Sequence, residues 1–438
     1  MNPTTAASAP AAQPQPHGAV APIFATLPPL SLYVHLPWCL RKCPYCDFNS
    51  YTLGGELPES AYLGRLARDL EAQASEVAGR EVISVFLGGG TPSLFSPRSI
   101  GELLAAARRV LKLAPRLEVT LEANPGAIER GAFREYRAAG VTRVSLGAQS
   151  FDPERLKALG RIHSPAETRR AAEELHAAGL ANFILDLMYA LPGQDVPAAR
   201  LDLAGALELQ PAHVSHYQLT IEPGTVFAAR RPPLPDEDAA AAMLDACAAL
   251  LGEAGFAQYE VSAYARPGRQ CRHNLNYWRF GDYLGVGAGA HGKLTFPHAG
   301  QIVRTLQPRE PRRYLASSGA ELVRRAVPES ELPFEFMLNA LRLKGGFDAA
   351  LFPARTGLDW QAIASPIDRL LRRGMLRRTP GRCRPSAQGL RFLNEMLLEF
   401  IPETAELPGP SALSTAASGE PGLRRRPLFT GSGSAIGE

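Results

Sequence analysis

The chain has 438 residues, 45% of them hydrophobic, enough to bury the core of one large α/β domain and a smaller companion. Its 47 Lys and Arg against 43 Asp and Glu leave a net charge of +4, too mild for an electrostatic footprint on nucleic acid. Six cysteines, three of them inside eight residues, make no disulfide framework and fit metal binding in a reducing cytoplasm.

Residues 1–30 are rich in Ala and Pro, lack a basic n-region and an apolar h-region, and read as a disordered leader. No run of about 20 apolar residues offers a membrane span; peripheral membrane contact is left open. Six short apolar runs then alternate with segments of helical period: 31–36 (SLYVHL), 82–87 (VISVFL), 117–121 (LEVTL), 142–146 (TRVSL), 183–187 (FILDL) and 213–219 (HVSHYQL). This is the pattern of consecutive βα units and predicts an α/β fold, a partial (βα)6 TIM-like barrel over 31–234. The helical segment AETRRAAEELHAAG closes on Gly179 as a C-cap. Residues 235–321 combine a helix, a strand (FAQYEVSAYA) and the Gly-rich run DYLGVGAGAHG, and read as a cover beside the barrel. A smaller, mostly helical, winged-helix-like domain is expected over 322–402, with MLRRTPGRCRPSAQG as its hairpin wing, and a disordered tail over 403–438.

Polar or glycine-rich signals sit at the carboxyl ends of the strands: a cysteine loop after the first, GGGTP after the second, Glu122 after the third, Gln149 after the fourth, with Asp186 in the fifth. In α/β barrels that end is the reacting face. In WCLRKCPYC, Cys39, Cys43 and Cys46 follow the spacing CxxxCxxC, which wraps three thiolates around one face of a 4Fe-4S cubane and leaves the fourth iron open. The competing account is structural zinc, with His35 as fourth ligand.

The stretch YVHLPWCLRKCPYCDF resembles the radical S-adenosylmethionine superfamily, in its branch similar to oxygen-independent coproporphyrinogen III oxidases, and the likeness runs to about Gly292. The resemblance implies a 4Fe-4S cluster, S-adenosyl-L-methionine at the open iron, and one-electron cleavage of the sulfonium to an adenosyl radical. It also implies cofactor contacts from Tyr33, Tyr45, Gly89, Gly90, Thr91, Glu122, Gln149, Arg161 and Asp186. Glu122 and Asp186 can accept from ribose hydroxyls or an ammonium, and Arg161 can pair with a carboxylate as a fork. His216 and Tyr217, on the sixth strand, either face the cofactor or fill the barrel.

The oxidases carry a further cysteine two residues after the third; here that position is Phe48. Downstream, His273, Asn274, Tyr277 and Trp278 form HNxxYW, a motif resembling that of heme chaperones of the HemW type. That resemblance implies heme as cargo, with His273 as an iron ligand, Tyr277 and Trp278 against the porphyrin and Cys271 as a second or alternative axial ligand through its thiolate. It further implies heme-acceptor proteins, including membrane respiratory hemoproteins, as partners, and a homodimer. The other account of the motif is a histidine packed on aromatics at the barrel edge. Two functions follow as expectations: a cytoplasmic heme chaperone, or a radical decarboxylase of coproporphyrinogen. A nucleic-acid role for the basic wing is disfavoured by the mild charge.

Overall fold

The computed structural model describes residues 24, 26–127, 132–319 and 321–401. Most of the leader and the tail expected from 403 lie outside them. All six expected strands are present as β1 (Leu30–Leu36), β2 (Glu81–Gly89), β3 (Lys112–Ala123), β4 (Arg143–Gln149), β5 (Ile184–Tyr189) and β6 (His213–Gln218), each paired in parallel with the next. The intervening helices are α1 (Glu59–Ala74), α2 (Pro97–Val110), α3 (Ala132–Ala139), α4 (Pro153–Ala158), α5 (Pro165–Ala177) and α6 (Val196–Glu208).

Strand periodicity divides the residues between two faces. Leu32, Val34 and Leu36 of β1, Val85 and Leu87 of β2, and Val119 and Leu121 of β3 enter one apolar core with Tyr62, Leu66 and Leu70 of α1. The alternate residues turn inward and are mostly polar: Ser31 meets Ser84 at 2.8 Å, and Ser145 donates to Asp186 at 2.7 Å. The outer face thus holds the fold together, while the inner face carries the chemistry. Helix starts are fixed locally: Ser164 and Glu167 form a capping box ahead of Pro165, and Gly179 ends the unit at φ +73° as expected.

The segment beyond β6 holds α7 (Val226–Ala229), α8 (Glu237–Glu253), β7 (Ala257–Gln258), β8 (Ala263–Ala265), α9 (Arg272–Trp278), β9 (Asp282–Val286), β10 (His291–Phe296), β11 (Gln301–Leu306), α10 (Pro311–Ala316) and β12 (Val323–Ala326). Strand order is β12-β11-β10-β9-β1-β2-β3-β4-β5-β6-β8-β7, so the sheet stays open at both edges. The glycine-rich run read as a cover is in fact a seventh parallel strand: β9 pairs with β1 from Leu30↔Asp282 to Val34↔Val286. Its glycines are set by crowding. A Cβ on Gly285 would stand 1.9 Å from the His291 carbonyl oxygen, and one on Gly287, at φ +103°, 2.3 Å from that of His35.

The C-terminal unit comprises α11 (Leu332–Ala340), β13 (Phe347–Asp348), α12 (Leu351–Thr356), α13 (Gln361–Arg372) and the antiparallel wing β14 (Leu376–Thr379) and β15 (Arg382–Pro385). Phe336, Phe347, Phe352, Ile363 and Ile367 form its core, which Phe280 and Ile302 of the preceding segment join. The buried Arg342 binds Glu260 at 3.0 Å and lies 4.2 Å over the Trp278 ring, fastening α11 to the segment that carries α9. Among the described residues no helix is long and apolar enough to cross a membrane.

Candidate functional site

The cysteine loop leaves β1 at its carboxyl end and is tied down at several points. The Lys42 ammonium donates to the carbonyls of Phe48 (3.0 Å) and Ser50 (3.1 Å), and the Asn49 amide donates to those of Ala288 (2.9 Å) and Arg309 (3.0 Å). Each cysteine has a polar neighbour from a different element. Thr91 hydrogen-bonds Cys39, Arg161 Nη1 points at Cys43 Sγ from 3.7 Å, and Ser50 Oγ lies 3.7 Å from Cys46 Sγ. Burial pushes the Cys39 thiol up and the Cys46 thiol to about 11, so both stay protonated until a metal displaces the proton.

Zinc does not fit this donor set. The His35 ring is already committed: Nε2 donates to the Asn49 carbonyl at 2.8 Å, and Nδ1 accepts from the Tyr33 hydroxyl at 2.9 Å. Among the described residues no three His, Cys, Asp or Glu side chains converge closely enough to hold a single metal ion. Three cysteines that sense one another electrostatically without meeting at a point suit a cubane.

GGGTP ends β2 beside this loop, and its glycines are required by packing. A Cβ on Gly89, at φ +120°, would stand 2.6 Å from His35 Cε1, and one on Gly90 2.6 Å from the Trp38 carbonyl oxygen. The freed Gly89 amide donates to Glu122 at 3.0 Å. Below the mouth, burial raises Glu122 to about 8, helped by the neighbouring Asp186 charge. Burial also raises Asp186 to about 6, against hydrogen bonds from Ser145 and Ser215. Both carboxyls are poised for a cationic or hydroxyl-bearing ligand.

Gln149 closes β4 at φ +66°, after a register break between Gly147 and Gln149, and accepts from the Tyr217 hydroxyl at 2.6 Å. A bulge with a non-glycine residue at positive φ is strain that re-aims a side chain into the mouth. Arg161 donates from Nη2 to the Gly147 carbonyl at 2.7 Å, while its buried Nε has no partner. Tyr45 packs on Phe227 with ring centres 6.4 Å apart, and Tyr33 stacks on Phe86 at the same separation. The expected residues Tyr33, Tyr45, Gly89, Gly90, Thr91, Glu122, Gln149, Arg161 and Asp186 therefore gather around the cysteine loop. The orphaned Arg161 nitrogen and the two destabilised carboxylates fit a bound zwitterionic cation.

Of the pair on β6, Tyr217 faces this space. His216 turns outward and stacks on Tyr189 at 4.7 Å. Ser50, Ser145 and Ser215 were missed by sequence reasoning, although the alternation that points Asp186 and Tyr217 inward also points Ser145 and Ser215 there.

His273, expected as a heme ligand, lies away from the cysteine loop. Helix α9 plugs the opposite, amino end of the strands, with the Glu118 carboxylate capping the amides of Arg272 (2.7 Å) and His273 (3.2 Å). His273 is 1% exposed, its Nδ1 is 3.0 Å from Ser84 Oγ and its Nε2 3.2 Å from the Tyr277 hydroxyl. Burial lowers it to about 3. Neither nitrogen is open to an iron, and Phe86, 5.0 Å away, lies against the ring. Cys271 is likewise sealed, its thiol 3.6 Å from Glu118. HNxxYW is here the floor of the barrel: Tyr277 packs edge-on to Tyr283, and Trp278 lies under Arg342.

The Radical SAM superfamily matches residues 33–198 and the HemN C-terminal domain residues 327–392. The heme chaperone HemW of Escherichia coli is 48% identical over 377 residues, covering 86% of this chain and 99% of that one. The chain belongs to the heme chaperone HemW family. The Haemophilus influenzae member is 46% identical over 382 residues, and the bovine mitochondrial radical S-adenosyl methionine domain-containing protein 1 is 37% identical over 391, covering 88% of that protein. The structure of Escherichia coli coproporphyrinogen III oxidase (HemN), described as a radical SAM enzyme, superposes with a TM-score of 0.71 at 22% identity over 85% of this chain and 90% of that one, which establishes the shared fold. Membership of the HemW family, within the radical SAM superfamily, implies a 4Fe-4S cluster and S-adenosylmethionine.

Proposed function

We propose that this chain is a heme chaperone that carries heme to acceptor proteins, holding a 4Fe-4S cluster on Cys39, Cys43 and Cys46. The observation that carries the reading is the mouth itself: three cysteines, each beside a polar neighbour, ringed by residues that suit S-adenosylmethionine. Thr91, Gly89 and Gly90 form the wall next to the cluster. Arg161 takes the ligand's carboxylate through its free Nε, and Glu122 and Asp186 take the ammonium and the ribose hydroxyls. Tyr33, Tyr45 and Gln149 bound the space. When bound, the cluster and S-adenosylmethionine supply one-electron cleavage of the sulfonium. The protein orients the ligand, keeps water out and balances its charge with carboxylates whose burial makes them ready to bind a cation.

Phe48, where the oxidases carry a further cysteine, favours heme carriage over decarboxylation. Its carbonyl holds Lys42, and Cys46 accepts a hydrogen bond from its amide, so the position works through its backbone. His273 remains the candidate heme ligand from the HNxxYW motif, and its use as one requires releasing its hydrogen bonds to Ser84 and Tyr277. We also propose the division of the chain into a cluster-bearing barrel over 31–234, an extension over 235–321 and a C-terminal domain over 322–402.

The test is anaerobic reconstitution followed by heme titration and coproporphyrinogen turnover on one sample. Stoichiometric heme uptake without decarboxylated product is expected; turnover without heme uptake overturns the reading. His273→Ala is expected to change the heme spectrum and weaken heme binding; an unchanged spectrum and affinity overturn the ligand assignment.

A further inference from the structure

Tyr217 stands at the mouth with its ring in one environment and its hydroxyl in another. The ring packs into an apolar patch with Met188, Leu219 and Phe227, which also takes in Tyr45 from the cysteine loop. Anchored there, the side chain reaches over β5 to the end of β4, where its hydroxyl donates to Gln149 Oε1 at 2.6 Å. The hydroxyl keeps its proton, because burial, with Tyr45 and Asp186 close by, pushes its ionisation well above the ordinary tyrosine value. The Gln149 amide therefore has a fixed sense: its oxygen is occupied, and no described residue accepts from Nε2. Nε2 lies over the inward face of Gly147, 3.1 Å from where a Cβ would stand, with Arg161 Nη2 at 3.2 Å from the same point. Gly147 is the register partner of Asp186, so this free donor and the inward Asp186 carboxylate share one level of neighbouring strands.

We propose that Tyr217 is a positioning residue for S-adenosylmethionine: its hydroxyl holds the Gln149 amide so that Nε2 donates to the ribose diol that the Asp186 carboxylate accepts from. The inference rests on the cofactor reading of the mouth and adds to it one residue and its task. A diol both donates and accepts, whereas an ionised carboxylate only accepts, so a donor beside Asp186 completes the match. The strained bulge at Gln149, at φ +66°, aims the side chain into the mouth but does not set which end of the amide faces the ligand. That last torsion of a glutamine is broad and nearly two-fold, and a hydrogen bond from a fixed phenol is what selects one sense. A residue that only fills the barrel needs no hydroxyl at this point, since phenylalanine packs in the same way.

The experiment is isothermal titration of S-adenosylmethionine into the full-length, anaerobically reconstituted wild type, Tyr217→Phe, Gln149→Ala and the double variant, with iron content verifying the cluster in each. Tyr217→Phe is expected to bind about five- to tenfold more weakly, the effect of one lost hydrogen bond. The double variant is expected to match Gln149→Ala within about twofold, because the hydroxyl acts only through that amide. Two fragments locate the effect. Methylthioadenosine, which keeps the ribose, is expected to lose affinity in Tyr217→Phe, while methionine, which lacks it, is expected to perturb the cluster's EPR signal at the same concentrations as in wild type. A wild-type affinity for S-adenosylmethionine in Tyr217→Phe overturns the positioning role, as do additive losses in the double variant. A loss that falls on methionine and spares methylthioadenosine overturns the ribose assignment. A wild type that binds no S-adenosylmethionine overturns the cofactor reading itself.

Discussion

Glu122 offers a test of how burial prepares this site for its ligand. The carboxyl is raised from 4.5 to about 8, first by burial and then by the Asp186 charge, while the Gly89 amide opposes the shift. A displacement of that size corresponds to roughly 5 kcal/mol against the ionised form. A cationic ligand that needs the carboxylate must therefore displace a proton below about pH 8. The affinity of the reconstituted protein for S-adenosylmethionine is expected to rise by up to about tenfold per pH unit between pH 6.5 and 8 and then level off, because above the raised value no proton remains to be released. Glu122→Gln keeps the shape and the acceptor for the Gly89 amide but carries no charge. It is expected to bind about 10- to 100-fold more weakly at pH 8, with the slope flattened. Isothermal titration in two buffers of different ionisation enthalpy reads the proton count directly. A wild-type affinity independent of pH, or a slope that survives in Glu122→Gln, refutes the assignment.

The same carboxyl governs stability in the ligand-free protein. Its folded value lies above its unfolded one, so its contribution is lost as pH rises from about 4.5 to 8, and thermal unfolding should show Glu122→Gln losing less over that interval. The buried histidines act in the opposite direction. His35, His163, His216 and His291 fall to about 4 through burial and His273 to about 3, so stability should drop as pH falls from 6.5 towards 4, where the unfolded chain binds protons that the folded one refuses. Gly89→Ala places a Cβ 2.6 Å from the His35 ring at φ +120°; destabilisation of about 2–4 kcal/mol by denaturant titration and reduced iron loading are expected, and a wild-type Cm with full loading contradicts the packing argument. Arg342→Ala leaves Glu260 buried and unpaired and uncovers Trp278, so a loss of about 3–5 kcal/mol is expected, seen as a lowered Tm of the C-terminal unit.

The barrel was legible because the first six strands are short apolar runs separated by helical segments, and polar or glycine signals closing the first four, with Asp186 in the fifth, marked the mouth. The seventh, Asp282–Val286, was hidden because the Gly-rich run holding Gly285 and Gly287 read as part of a cover, while the cause of those glycines is the approach of the His291 and His35 carbonyls, a contact made across the fold. The position of His273 was hidden for a related reason. A histidine followed by aromatics carries no mark of which end of the barrel it will occupy, and only the Glu118 cap and the Ser84 partner fix α9 at the floor. The cysteine loop needed no such context, since its spacing alone states how three thiolates can share a cluster. Its neighbour Ser50 became visible only once the loop was folded.

The central claim is that Cys39, Cys43 and Cys46 hold a cubane with one iron left open to S-adenosylmethionine. EPR of the reduced, reconstituted full-length protein, recorded with and without S-adenosylmethionine, tests it most directly. The account predicts about four irons per chain, a 4Fe-4S signal that changes on adding S-adenosylmethionine, and loss of that signal in Cys39→Ala. A signal indifferent to S-adenosylmethionine, or one that persists in Cys39→Ala, contradicts it.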